Sequence, residues 1–370
     1  MSVLLLSPVP PPIGGIASWT LNITQYYAEN DNLAIDLIHQ NTAMRYRSVT
    51  RRGIFNRVIT GIGDSLRVVG AFLVFLFKYK PDVIHLTSSA SLGLIKDLCI
   101  SLLARIFCFP IVIHYRFGRI PEICASNSME WRILRLVTFL CSAAIVLDEQ
   151  SYQTLRKSGL KGVYKIPNPI SLYVESLVLK NNNSFAQYGQ SRFNVIFVGH
   201  VVRNKGVYEL VHACSLINNI EELTLIGPYE QEIREELLNI SADSKLNIKF
   251  TGSLCVESVL NKMAKATLLV LPSYSEGFPN VIIEAMAMKC PVVATNVGAI
   301  ADILAINSSS PAGLVVEPRN IQALVESISI IAYDIKLSDR LRQSAFIRVN
   351  ENYTLKVVCD QYETLWESVK

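Results

Sequence analysis

The sequence contains no apolar run of the roughly 18–20 residues that a membrane-spanning helix needs. Its longest runs, Val68–Phe77 and Leu136–Leu147, fall well short. It also lacks any C-x-x-C pair. The eight cysteines stand apart at 99, 108, 124, 141, 214, 255, 290 and 359, which argues against zinc and disulfide frameworks and for reduced, buried thiols in a cytosolic protein. No basic segment precedes Val3–Leu6, so no secretory signal is expected. Charge is scarce, at 18% of residues, and mean hydropathy is +0.31. Both values exclude a disordered chain. The glycine fingerprint G-x-G-x-x-G and the phosphate loop G-x-x-x-x-G-K-[ST] are missing as well, which disfavours a dinucleotide-dependent dehydrogenase and a P-loop enzyme.

What is present is alternation. Short apolar runs at Val3–Leu6, Leu33–His39, Val83–Leu86, Ile111–His114 and Ala144–Leu147 read as buried parallel strands, separated by helical stretches such as Ile16–Glu29 and Leu92–Phe107. The scheme restarts with strands at Val195–Val198, Leu223–Ile226, Ile248–Phe250, Leu268–Leu271 and Pro291–Ala294. Helices are expected there at Gly206–Ile217, Val281–Met288 and Asn320–Ala332. Between the halves lies a polar stretch, Lys180–Ser191, the candidate linker. At 370 residues, two domains are the natural prior. The pattern predicts an α/β fold of two doubly wound parallel sheets with a cleft between them.

Charge is uneven along the chain. Residues 1–165 carry 18 basic and 10 acidic side chains, and residues 166–370 carry 17 and 21. Arg45, Arg47, Arg51, Arg52, Arg57, Arg67, Lys78 and Lys80 face a single acid, Asp64, and adjoin the apolar run Val68–Phe77. A solvated surface explains such a stretch, and so does contact with an anionic bilayer. No aromatic platform accompanies it, so nucleic acid is not the expected partner.

Open α/β sheets bind ligands beyond the carboxyl ends of their strands, so four loops draw attention. The first contains Gly14-Gly15 ahead of a helix, where backbone can approach a phosphate, although a plain Pro/Gly turn explains it about as well. The second is His114-Tyr115-Arg116-Phe117-Gly118-Arg119. The third runs Gly199-His200-Val201-Val202-Arg203-Asn204-Lys205-Gly206 and sets two cations at a helix start, where the dipole is already positive. An anionic ligand, or a solvated loop, accounts for them. The fourth, Leu271-Pro272-Ser273-Tyr274-Ser275-Glu276-Gly277-Phe278-Pro279-Asn280-Val281-Ile282-Ile283-Glu284-Ala285-Met286-Ala287-Met288, joins a strand to a short apolar helix. Its amides suit a phosphate, and its two carboxylates suit polyol hydroxyls better than glycoside hydrolysis, given the neighbouring demand for an anion.

The segment E-G-F-P-N-V-x-x-E-A-M-A at 276–287 resembles the signature of the retaining family-4 glycosyltransferases of GT-B fold, including those that build bacterial surface polysaccharide. The likeness extends over nearly the whole chain. It implies two Rossmann-like domains facing across a cleft: residues 1–170 on the acceptor side, completed by a C-terminal helix over 352–370; a linker at 171–192; and a nucleotide-sugar domain at 193–351. The resemblance assigns Glu276 to the donor sugar, Glu284 to the ribose, Lys205 to the diphosphate, Gly14-Gly15 to the amino-terminal glycine loop and His114 to the neighbourhood of the donor sugar. Gly277, Phe278, Pro279 and Asn280 complete the donor loop. The family has arginine directly after the strand glycine, where this chain has His200. Arg203 is the expected substitute, with Arg116 or Arg119 as alternatives.

The resemblance implies a retaining hexosyltransferase. It moves a sugar from a nucleotide-diphosphate sugar, UDP-linked by preference, to a hydroxyl of a glycan or lipid-diphosphate-linked glycan. The attack is front-side, and the leaving phosphate takes the acceptor proton. His114, Lys205 and Glu276 are then catalytic by positioning and electrostatics. No D-x-D motif is present, and the expectation is an enzyme needing neither metal nor cofactor. The expected location is the cytoplasm, peripheral on the inner face of the membrane. A nucleotide-sugar epimerase of the same fold and a silent nucleotide-sugar-binding subunit are the alternative readings.

Overall fold

The computed structural model describes residues 1–11, 14–30, 34–43, 54–91, 93–180 and 193–370, with backbone alone for 54–62, 179 and 180. The chain forms two compact units, residues 1–171 with 355–370, and residues 172–354.

The first unit comprises β1 (Ser2–Ser7), α1 (Gly15–Glu29), β2 (Asp36–Asn41), α2 (Ile54–Tyr79), β3 (Val83–Ser88), α3 (Gly93–Ile106) and β4 (Ile111–Tyr115). It continues with α4 (Ile120–Ala125), α5 (Met129–Leu140), β5 (Ala143–Val146), α6 (Glu149–Lys157) and β6 (Val163–Lys165). Its six strands form one sheet in the order β2-β1-β3-β4-β5-β6, with every pairing parallel. All six residues of β3 and all five of β4 are buried, as expected for central strands covered on both faces.

The second unit comprises α7 (Leu172–Lys180), β7 (Phe193–Val198), a single 3-10 turn at Arg203–Lys205, α8 (Val207–Ser215), β8 (Ile220–Ile226), α9 (Gln231–Ile240), β9 (Asn247–Gly252) and α10 (Val256–Lys265). It continues with β10 (Leu268–Leu271), α11 (Asn280–Ala287), β11 (Val292–Thr295), α12 (Ile300–Ile303), β12 (Leu314–Val316), α13 (Ile321–Tyr333) and α14 (Ile335–Asn352). Its sheet runs β12-β11-β10-β7-β8-β9, again all parallel. The last helix, α15 (Leu355–Val369), belongs to the first unit.

Several elements depart from the sequence reading. The second strand lies at Asp36–Asn41 rather than Leu33–His39. Residues 172–180 of the expected linker are helical, and the rest of it lies outside the described residues. The thiols form no disulfide, and not all are buried, since Cys99, Cys108 and Cys255 are exposed. The apolar run Val68–Phe77 sits in α2 and serves two environments. Val68, Phe72 and Leu76, spaced by four, enter the core, whereas Val74 and Phe77 remain 64% and 53% exposed. Arg45, Arg47, Arg51 and Arg52, and the side chain of Arg57, lie outside the described residues. Among the described residues no helix is long and apolar enough to cross a membrane.

Candidate active site

In the second unit the loops after β7 and β10 lie side by side because those strands pair directly, Leu268 opposite Val195 and Leu269 opposite Ile196. Backbone joins them: the Tyr274 amide donates to the Asn204 carbonyl at 3.0 Å. Gly206 stands at φ +70°, and a Cβ there would overlap the Pro272 carbonyl oxygen. Only glycine takes that left-handed turn so close to the neighbouring loop. The turn fixes the residue before it. Lys205 Nζ donates to Glu276 Oε1 at 2.6 Å, and Ser273 Oγ donates to the same oxygen at 2.7 Å. Both side chains of the pair are largely buried, at 27% and 13% exposed.

The Glu276 turn is supported from β11 outward. Ala299 N–H donates to the Gly277 carbonyl at 2.9 Å. Gly298, at φ +56°, packs where a side chain would overlap the Glu276 carbonyl oxygen. Helix α11 follows with Pro279 at its N-cap, which makes no side-chain capping bond, so the positive end of its dipole lies at this loop. Glu284 lies one turn along. Desolvation by its apolar surroundings pushes its carboxyl up to about 7. Phe278 packs on Tyr353, ring centroids 6.1 Å apart.

The other cation of the third loop is engaged elsewhere. Arg203 lies over the Tyr208 ring at 4.0 Å and reaches Glu236 at 3.4 Å, with its side chain 69% exposed. The two cations at this helix start therefore each have an acidic partner within the unit. His200 is exposed.

In the first unit Gly14 and Gly15 precede α1 and are exposed, and a Cβ on either would meet nothing within 4 Å. Neither has a positive φ, so the packing of the unit itself does not demand glycine there. His114 is the penultimate residue of β4 and is fully buried. Its Nδ1 lies 3.2 Å from His85 Nε2, and its Nε2 lies 3.3 Å from an Arg116 terminal nitrogen. Burial, the Arg116 charge and the neighbouring His85 hold the His114 pKa far below the usual imidazole value. Burial first, and then Arg116, lower His85 to about 3. Arg116 stacks on Trp19 at 4.4 Å, and desolvation lowers its pKa to about 10, so it stays cationic at neutral pH. Arg119 is exposed at the start of α4.

The structure thus brings Lys205, Glu276 and the α11 amino terminus together in one unit and His114 with Arg116 in the other. Sequence reasoning missed Ser273, which the fourth loop held in plain view as a hydroxyl three residues before Glu276. It also missed Gly298 and the His85 partner of His114. Among the described residues, no three His, Cys, Asp or Glu side chains gather as a metal site.

Two six-stranded parallel sheets in separate units are the architecture of the GT-B fold, with a cation–carboxylate pair and the start of α11 at the strand ends of the second. The comparisons agree. Residues 192–334 match the family described as glycosyl transferases group 1. A Bacillus subtilis protein named for glycosyl transfer in teichuronic acid biosynthesis is 29% identical over 177 residues, which is 46% of this chain and less than half, 42%, of that protein. The capsular polysaccharide biosynthesis glycosyltransferase CapM of Staphylococcus aureus is 22% identical over 322 residues, covering 82% of this chain and 81% of CapM. Anabaena HepE, solved in complex with UDP, superposes with a TM-score of 0.71 at 17% identity over the full length of both chains. Residues 192–334 thus carry the match to the group 1 glycosyl transferases, and the chain as a whole shares the two-sheet GT-B fold of the compared structure.

Proposed function

We propose that this glycosyltransferase takes a nucleotide-diphosphate sugar, UDP-linked, and transfers the sugar with retention to a hydroxyl of a glycan or lipid-diphosphate-linked glycan in surface-polysaccharide assembly. The observation that carries this reading is the Lys205–Glu276–Ser273 contact beside the start of α11. A diphosphate at the helix start would draw Lys205 from Glu276 and free the carboxylate to accept a sugar hydroxyl. As the anomeric bond breaks, negative charge builds on the leaving phosphate. Lys205 and the α11 dipole then stabilise it more in the transition state than in the ground state. Each charge-assisted hydrogen bond is worth about 1.5–3 kcal/mol. The leaving phosphate takes the acceptor proton, so no separate base is assigned and no metal is required. The family resemblance adds His114 as a group in the neighbourhood of the donor sugar.

UDP is favoured because HepE binds it on the same fold. A polysaccharide acceptor is favoured because CapM and the teichuronic acid protein are named for such pathways. Peripheral attachment to the cytoplasmic face is favoured by the exposed Val74 and Phe77 of α2 next to Lys78. The test is a screen of UDP-, GDP- and TDP-sugars for thermal protection in EDTA, followed by product analysis. A ligand at 100 times its dissociation constant adds about 2.7 kcal/mol. Protection by one nucleotide series and a product of unchanged anomeric configuration support the reading. Inverted product, dependence on added divalent metal, or sugar epimerisation without acceptor would each overturn part of it.

A further inference from the structure

In the first unit a line of four side chains runs from the last helix to the β4 loop. The Trp366 indole Nε1–H donates to His85 Nδ1 at 3.1 Å, His85 Nε2 lies 3.2 Å from His114 Nδ1, and His114 Nε2 lies 3.3 Å from Arg116. Both ends of this line are obligate donors, since an indole nitrogen and a guanidinium have no acceptor to offer. A neutral imidazole carries one N–H. Two imidazoles between two donors therefore bring four protons to three contacts, and at least one contact must set N–H against N–H. Protonating either ring only adds to the surplus.

The packing decides which contact yields. Trp366, His85 and His114 are at most 1% exposed. Their rings are held against one another and against Trp19 and Tyr362 at centroid distances of 5.3–6.0 Å. Arg116 alone is partly exposed; its guanidinium stacks on Trp19, its Nε has no hydrogen-bond partner, and its contact with His114 is the longest of the three. The opposed pair therefore falls between His114 and Arg116, where an oxygen atom accepting from both would relieve it.

We propose that Trp366 and His85 are positioning residues that act in series to hold His114 as the Nε2–H tautomer, a donor directed with Arg116 at one ligand oxygen. The ligand class is an oxygen acceptor, a sugar hydroxyl or a phosphoryl group. Its identification as part of the sugar donor rests on the function proposed above, whereas the tautomer does not.

The test is 15N NMR of the full-length chain labelled at its five histidines, with His114 assigned by its loss in His114→Gln. Protonated and bare ring nitrogens resonate far apart, so the tautomer is read directly. The wild type should show His114 protonated at Nε2. Trp366→Phe removes the donor that orients His85 and should move the His114 proton to Nδ1. His85→Leu should do the same. His85→Gln can accept from Trp366 and donate to His114, and should keep the proton on Nε2. A packing role alone would not separate Gln from Leu in this way. Sugar transfer should fall about tenfold in the two variants that lose the tautomer. His114 protonated at Nδ1 in the wild type, or unchanged in both Trp366→Phe and His85→Leu, would overturn the relay. A tautomer that moves as stated while transfer stays constant would keep the relay and remove His114 from the sugar donor.

Discussion

Lys205 and Glu276 show how a single contact serves two states. They neutralise one another at 2.6 Å; in the proposed complex with a diphosphate, each would take a separate partner. Lys205→Ala should therefore slow transfer by about ten- to a hundredfold, the kinetic equivalent of one charge-assisted hydrogen bond. Its cost to folding should stay within about 1 kcal/mol, because the pair is still partly solvated. Turnover at the wild-type rate would remove Lys205 from the leaving-group site. Glu284 supplies a pH signature. Its carboxyl is raised to about 7 from an ordinary 4.5 by desolvation, so the folded protein binds a proton there more tightly than the unfolded chain does. Stability from this group is fully present below about pH 4.5 and declines as pH rises through 7. Glu284→Gln should flatten that decline. If the ionised carboxylate receives the ribose hydroxyls, nucleotide affinity should rise between pH 6 and 8 in the wild type and stay level in the variant. Parallel affinity profiles would contradict that role.

At the scale of elements, the site depends on turns that tolerate no side chain. Gly206→Ala would force a Cβ into the Pro272 carbonyl from a left-handed backbone, at about 2–4 kcal/mol in stability. It would also displace Lys205, so melting temperature and transfer should fall together. Loss of stability with normal turnover would show that the turn does not position the lysine. Helix α2 presents a different case. Val74 and Phe77 are exposed, and Phe77 packs edge-on against the exposed Phe107 at 5.0 Å. Replacing Val74, Phe77 and Phe107 with serine should change stability little while reducing the salt-resistant part of binding to anionic vesicles. Equal sedimentation with wild type would return this face to ordinary solvent contact.

Across the whole molecule, legibility in the sequence followed burial. The central strands β3, β4, β7 and β10 stand out as apolar runs because helices cover both their faces. The edge strands β6 and β12 escape notice because each is only three residues long, and β6 carries the exposed Tyr164 and Lys165. The loop of Glu276 is readable from its local pattern, since Glu276 through Glu284 are contiguous. The contact of Glu276 with Lys205 is not, because 71 residues separate them and only the pairing of β10 with β7 unites them. His85 is hidden for a further reason. Inside a fully buried strand a histidine looks like one more core position until its ring is seen bonded to His114 and Trp366. The central claim is that the second unit binds a nucleoside diphosphate through Lys205 and the start of α11. The most direct measurement is calorimetric titration of UDP, with GDP alongside, into wild type and Lys205→Ala in EDTA. The account predicts saturable one-to-one binding of one nucleotide by the wild type and at least tenfold weaker binding by the variant; equal affinity in the two proteins, or binding of neither nucleotide, would contradict it.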